Sequence, residues 1–206
     1  MQLIIIRHGE TLWNKEGRVQ GISDVELSTA GIEQARLLAL SLKNYPIRVI
    51  HTSPLKRALK TAQVINEFHQ KEIYIHDDLM EIDPGDFEGV YYKELVVSEK
   101  NFLNKWFANP ASVKMPNGES LTQLQERAWR VMERIINKDE NALVVAHNFT
   151  IAAIICRIKS ISLNEFHNSL VGNASKTVFN FQKDGGIFTE AFNDRSHLPK
   201  DKTPLT

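Results

Sequence analysis

Leu3-Ile4-Ile5-Ile6-Arg7-His8-Gly9-Glu10 sets the frame for the whole chain. The first four residues form a short, continuous apolar run rich in β-branched side chains, the pattern of a strand buried on both faces. The next four are polar or small, so the strand ends at Arg7 or His8. Ligands of open α/β sheets bind outside the carboxyl ends of the strands. A histidine there is placed for chemistry, and an adjacent arginine supplies fixed positive charge for an anion.

Working outward, the pattern repeats. Ile47 to Thr52, Ile73 to Ile75, Ala142 to Ala146, Thr177 to Phe181 and Ile187 to Phe192 read as further strands. Between them lie helical stripes: Ile32, Ala35, Ala39 and Leu42; Leu55, Ala58, Leu59, Ala62 and Ile65; Leu121, Leu124, Ala128, Val131 and Ile135. This alternation predicts an α/β fold, a three-layer α/β/α sandwich around a mostly parallel sheet. Asp184-Gly185-Gly186 separates the last two strands as a hairpin turn would, so an antiparallel edge is expected. Residues 84–118 break the rhythm with Pro84, Gly85, Gly89, Pro110, Pro116 and Gly118 among many aromatics. They read as an inserted helical lobe covering a site, within one domain spanning 1–206. The polar tail from Arg195 to Thr206 is expected to be irregular.

Composition narrows the class of function. Lys plus Arg equals Asp plus Glu at 25 each, so no general attraction to nucleic acid or anionic membrane is expected. The one cysteine, Cys156, sits in an apolar stretch and reads as core. No run reaches the roughly 20 apolar residues of a membrane span, and the amino terminus lacks a secretory pattern. A reducing cytoplasm is the expected setting.

Several residues are candidates for chemistry. His147 ends the run Val144-Val145-Ala146 and precedes a helical stretch, whose first N–H groups would attract an anion. In Ser53-Pro54-Leu55-Lys56-Arg57, Ser53 reads as a helix cap and Arg57 falls in the first turn. An arginine there opposes the helix dipole, which makes sense if it serves a bound anion. Asn14, Arg18, Gln20 and Gly21 occupy the irregular stretch after the first motif. Asn and Gln can donate to phosphate oxygens, and glycine permits close backbone approach. Glu81, between apolar neighbours, suits a partly buried general acid. Glu10, Asp83, Asp86 and Glu88 compete for that role. Flanking arginines argue against a metal dication at the two histidines, and no glycine-rich nucleotide loop occurs.

Taken together, the chain resembles the histidine phosphatase superfamily, the phosphoglycerate mutase-like fold. The resemblance runs from Leu3 to about Leu198. It rests on Arg7-His8-Gly9-Glu10-Thr11 with Asn14, Gln20-Gly21, Leu27-Ser28-Thr29-Ala30-Gly31, Ser53-Pro54-Leu55-Lys56-Arg57-Ala58, Leu79-Met80-Glu81, Phe87-Glu88-Gly89, Asn117-Gly118-Glu119-Ser120 and His147, in that order. It implies that His8 is a nucleophile that becomes phosphohistidine and that Glu81 is the acid–base. It further implies that Arg7, Asn14, Gln20, Gly21, Arg57, His147 and the Asn148 backbone hold the phosphoryl group. No cofactor or metal is implied. Asn148 stands where the family usually has glycine, Pro84 where an aromatic is common, and Phe87 at a common Trp position. Between Gly89 and Asn117 there is no arginine, only Lys93, Lys100, Lys105 and Lys114, whereas cofactor-dependent mutases carry a paired arginine there. The expected function is hydrolysis of a small phosphomonoester, of phosphoserine, α-ribazole phosphate or sugar phosphate type. The alternatives are a phosphoglycerate mutase and a non-catalytic phospho-ligand binder. A homodimer is a candidate assembly.

Overall fold

The computed structural model describes residues 1–199. Its sheet has six strands: β1 (Gln2–Arg7), β2 (Val49–Thr52), β3 (Ile73–Ile75), β4 (Ala142–Ala146), β5 (Lys176–Phe181) and β6 (Ile187–Asp194). They lie in the order β3-β2-β4-β1-β5-β6. The first four in that order are mutually parallel, and the β5–β6 hairpin adds the antiparallel edge. The helices are α1 (Leu12–Glu16), α2 (Thr29–Leu42), α3 (Lys56–His69), α4 (Tyr92–Ser98), α5 (Lys100–Ala108), α6 (Leu121–Asn137) and α7 (Asn148–Ile158).

Strand alternation divides the core between the two faces of the sheet. Ile4, Ile6, Leu143 and Val145 pack against α2 and α3 through Leu38, Ala39, Ala58, Ala62 and Ile65. Leu3, Ile5, Val144 and Ala146 pack against α6 and α7 through Ala128, Val131, Ile151 and Ile154. Most of the three expected helical stripes form the inner faces of α2, α3 and α6, whereas Ile32 and Leu59 line a surface cleft with Leu27 and Gln63, and Leu55 precedes α3. A third cluster joins Phe87, Leu95, Trp106 and Met115 to Leu121, Ala152, Cys156 and Phe166. Residues 84–118 therefore rest on the outer side of α7, with Cys156 wholly buried in between. Of the tail, residues 195–199 form no helix or strand and the rest lies outside the described residues. No helix among the described residues is long and apolar enough to cross a membrane.

Strand order and register place the chemistry. β4 lies between β2 and β1, with Arg7 opposite Ala146 and Thr52 opposite Val145. Three adjacent strands therefore end at one level. His8, Ser53 and His147, the residues just beyond those ends, emerge side by side.

Candidate active site

His8 and His147 face each other with ring centroids 5.1 Å apart. Both are buried, at 2% and 0% exposure. His8 Nδ1 lies 2.7 Å from the Gly9 carbonyl, which can only accept. Nδ1 therefore carries the proton and Nε2 keeps its lone pair. His147 Nδ1 accepts from Arg57 Nε at 3.2 Å, so its proton sits on Nε2, 2.8 Å from Ser53 Oγ. Burial, followed by the nearby Arg57 charge, drives both imidazoles well below their usual range, and each is neutral at pH 7.

This has a consequence for stability. The unfolded histidines take up protons near pH 6.5, whereas the folded ones resist until much lower pH. Their contribution is complete above pH 6.5 and declines by about 1.4 kcal/mol per pH unit for each ring below it. His51, pushed down to about 4 by burial, adds to the same slope. Urea denaturation should show a loss of about 4 kcal/mol between pH 7.5 and 5.5 from the three rings together. Equal stability at both would contradict neutral buried rings.

Two arginines flank the histidines. Arg7 donates through Nη1 to the Val171 carbonyl at 2.5 Å, while its Nε is buried without a partner. Arg57, in the first turn of α3, is fully buried and donates to His147, Ser23 O (2.7 Å) and Gly21 O (2.6 Å). Three of its five N–H groups are used, leaving two. Burial lowers both guanidinium groups to about 10, so they stay cationic at neutral pH. Buried cations with spare donors define an anion site.

Asn14 and Gln20 are oriented by their own acceptor atoms. Asn14 Oδ1 accepts from Thr11 N–H (3.1 Å) and Asn173 Nδ2 (3.0 Å). Gln20 Oε1 accepts from Thr11 Oγ1 at 2.6 Å. In both, the amide NH₂ is the end left for a ligand. Gly21 is placed differently: its N–H donates to Glu88 Oε1 and its carbonyl serves Arg57. A Cβ there would collide with Pro84 and the Ile82 carbonyl, so only glycine fits. Pro84 thus packs against the Gly21 backbone.

Glu81 has surroundings unlike the apolar ones its sequence neighbours suggest. Its Oε1 accepts from Ile82 N–H (2.9 Å), Thr150 N–H (3.1 Å) and Thr150 Oγ1 (3.1 Å), and its Oε2 from Phe149 N–H (3.1 Å). The carboxyl group sits on the amino terminus of α7, a natural place for an anion. Of the five carboxylates considered, Glu81 alone lines the cavity next to the arginines. Glu10 accepts from Ser28 Oγ, Asp83 from Gly85 N–H, Asp86 from Asn117, and Glu88 from the N–H groups of Gly21 and Ile22.

Asn148, the first residue of α7, accepts from Val171 N–H at 2.8 Å, while Arg7 holds the Val171 carbonyl. Its side chain ties down the loop that orients Arg7, a use that glycine could not provide. Ser53 is not the expected helix cap. Helix α3 starts at Lys56, and the Ser53 hydroxyl is engaged by His147 and the Leu55 N–H instead.

Sequence reading missed two supports. Asn173 reaches Asn14 and, at 3.5 Å, the His8 carbonyl. Arg127, on α6, donates to the carbonyls of Asp78, Met80 and Glu81 and forks onto both oxygens of Glu119. The pair is about 15% exposed on each side and clamps the segment that presents Glu81. Arg127→Ala leaves the carbonyls of Asp78 and Glu81 without a donor and Glu119 without its ion-pair partner, while the Met80 carbonyl keeps Thr150 Oγ1. It should cost roughly 3–5 kcal/mol of stability and lower kcat with little change in KM. Arg127→Lys should recover part of kcat, and full kcat in Arg127→Ala would remove the positioning role.

Two neutral imidazoles, one with a free lone pair, stand between two buried guanidinium groups and a carboxylate on a helix terminus. Such a set can bind and attack a phosphoryl group. Comparison with known proteins agrees. The model of the histidine phosphatase superfamily (branch 1) matches residues 3–194, and the chain belongs to that superfamily. Phosphoserine phosphatase 1 of Hydrogenobacter thermophilus is 32% identical over 200 residues, covering 96% of this chain and 94% of its own. Among solved structures, a putative α-ribazole-5'-P phosphatase from Escherichia coli superposes with a TM-score of 0.85 at 25% identity, covering 95% of this chain and 97% of the other. A mutant phosphoserine phosphatase from Entamoeba histolytica, in complex with phosphoserine, gives 0.81 at 30% identity, with 96% and 99% covered.

Proposed function

We propose that this protein is a metal-independent phosphomonoesterase acting on a small phosphorylated metabolite through a phosphohistidine at His8. The observation that carries the reading is the His8 tautomer: Nδ1 is fixed on Gly9, so the lone pair of Nε2 is free beside two buried cations. Family membership and the phosphatases among the relatives support the same class.

In the first step, His8 Nε2 attacks phosphorus in line while the ester P–O bond breaks. Glu81 relays the proton carried by the phosphomonoester monoanion to the leaving alcohol oxygen. Arg7, Arg57, Asn14, Gln20 and the Asn148 N–H hold the equatorial oxygens, and His147 turns its Nε2–H from Ser53 to the same group. In the second step, the Glu81 carboxylate takes a proton from water. The water oxygen attacks phosphorus, the P–N bond breaks, and His8 returns to neutral. Two arginines against one carboxylate leave a single net positive charge, which matches a phosphomonoester monoanion.

A mutase would need a second anion clamp for the substrate carboxylate. The cavity wall formed by residues 84–115 is apolar and has no arginine, which favours hydrolysis. The lone, buried Cys156 fits a reducing, cytoplasmic setting. The purified protein should hydrolyse p-nitrophenyl phosphate, and EDTA should leave the rate unchanged because the arginines already supply the charge. EDTA inhibition reversed by added metal, or absence of turnover, would contradict the reading.

A further inference from the structure

The cavity next to Arg7 and Glu81 holds about 370 Å³, near the small end of the roughly 300–1,000 Å³ usual for small-molecule sites. Its charged groups are gathered at one end. The far wall is built by Phe87, Leu103, Trp106, Met115, Phe149 and Leu170. The rings there brace one another. Phe102 stacks on Trp106 at 6.4 Å and 14°, and Trp106 on Phe149 at 6.1 Å and 20°. Phe166 closes edge-on against Phe149 at 5.2 Å. The aromatic faces are therefore held in fixed positions before any ligand arrives.

This wall offers little to a charged leaving group. Among the described residues Glu81 is the sole acid lining the cavity, so an ammonium at the far end meets no counterion there. Apart from Arg7, the lining cation is Arg18. Its Nε is bound by Glu16 at 2.6 Å and its Nη2 donates to Tyr91 OH at 2.7 Å, with the guanidinium lying 4.3 Å over the Tyr91 ring. Glu16 balances its charge. His167, also in the wall, is held below its usual range by burial and is neutral at pH 7. A carboxylate or ammonium placed against Phe87, Leu103, Trp106, Met115, Phe149 and Leu170 would lose its hydration without a partner.

Building on the phosphatase reading above, we propose that the leaving alcohol is uncharged and carries a flat apolar ring, single or fused, seated against Trp106 and Phe149. The specificity of the site then comes from α5 and the start of α7. Amino-acid and glycerate phosphates share the phosphoryl end but not this wall.

The test compares kcat/KM for 2-naphthylmethyl phosphate, phosphoserine and 3-phosphoglycerate. All three leave as alkyl alcohols, so a better aryl leaving group does not bias the result. The naphthylmethyl ester should exceed the other two by about 100-fold or more. Leu103→Lys, which brings a cation to the wall, should narrow that ratio at least tenfold, chiefly by raising kcat/KM for 3-phosphoglycerate. Equal or better use of phosphoserine would overturn the proposal and leave the phosphatase reading standing. Calorimetry with 2-naphthylmethylphosphonate, which cannot be hydrolysed, separates the two failures. Tight binding without turnover of any ester would overturn the phosphatase reading yet support the ring site. Binding no tighter than inorganic phosphate would overturn the ring site.

Discussion

His8→Ala is expected to lower kcat by on the order of 10⁵ for any phosphomonoester while the protein still folds and binds phosphate. The size of the effect follows from what is removed. Arg7, Arg57 and Asn14 remain, so the anion is still held, but nothing is left to take the phosphoryl group. Direct attack by water would need a base positioned in line, and Glu81 lies on the leaving-group side of the proposed geometry. The imidazole is small and buried, and its one hydrogen bond goes to the Gly9 carbonyl next to it. Loss of that ring leaves a cavity rather than a broken network, so a folded variant is expected. Phosphate affinity within a few-fold of the parent would separate lost chemistry from lost structure. Residual activity above about 1% would assign the nucleophile elsewhere.

Glu81→Gln should slow turnover by roughly two to four decades. The amide keeps the shape, and its oxygen can still accept from Ile82 and Thr150 while its NH₂ faces the Phe149 N–H, but it can neither donate a proton to the leaving oxygen nor take one from water. The two steps should respond differently. A substrate with a good leaving group, such as p-nitrophenyl phosphate, needs little acid help in the first step. With it, the variant should show a burst of nitrophenol followed by slow hydrolysis. With an alkyl ester both steps are slowed and no burst is expected. A near-normal rate on both substrates would shift the acid–base role to another group. Since Glu10, Asp83, Asp86 and Glu88 are each held by neighbours away from the cavity, it would also reopen the placement of the site.

The frame of this site could be read from the chain because the signals are local. Apolar runs at Leu3 to Ile6 and Val144 to Ala146 end in histidine, and the strand ending at Thr52 leads into Arg57. An alternating α/β pattern brings such ends to one edge. The antiparallel hairpin was likewise marked by its Asp-Gly-Gly turn. What could not be read depends on long-range partners. The sequence around Glu81 displays Leu79, Met80 and Ile82, whereas its donors come from Phe149 and Thr150, 68 and 69 residues further on. Arg127 looks like the solvated side of an amphipathic helix, and only the fold shows that it grips residues 78–81. Asn173 lies in an irregular stretch with no periodic signal. Ser53 followed by proline has the form of a helix cap, but an imidazole from another strand claimed the hydroxyl and the helix began at Lys56.

The central claim is a covalent phosphohistidine at His8, and a single-turnover experiment with a phosphoryl-labelled substrate tests it most directly. The reaction is quenched with alkali, because phosphohistidine survives base and is lost in acid, and the label is located by peptide mapping. The mechanism predicts label on the peptide that contains His8, appearing before free phosphate, decaying as phosphate forms, and persisting longer in Glu81→Gln. Release of labelled phosphate with no label on the protein at any time, in either the parent or the variant, would contradict it.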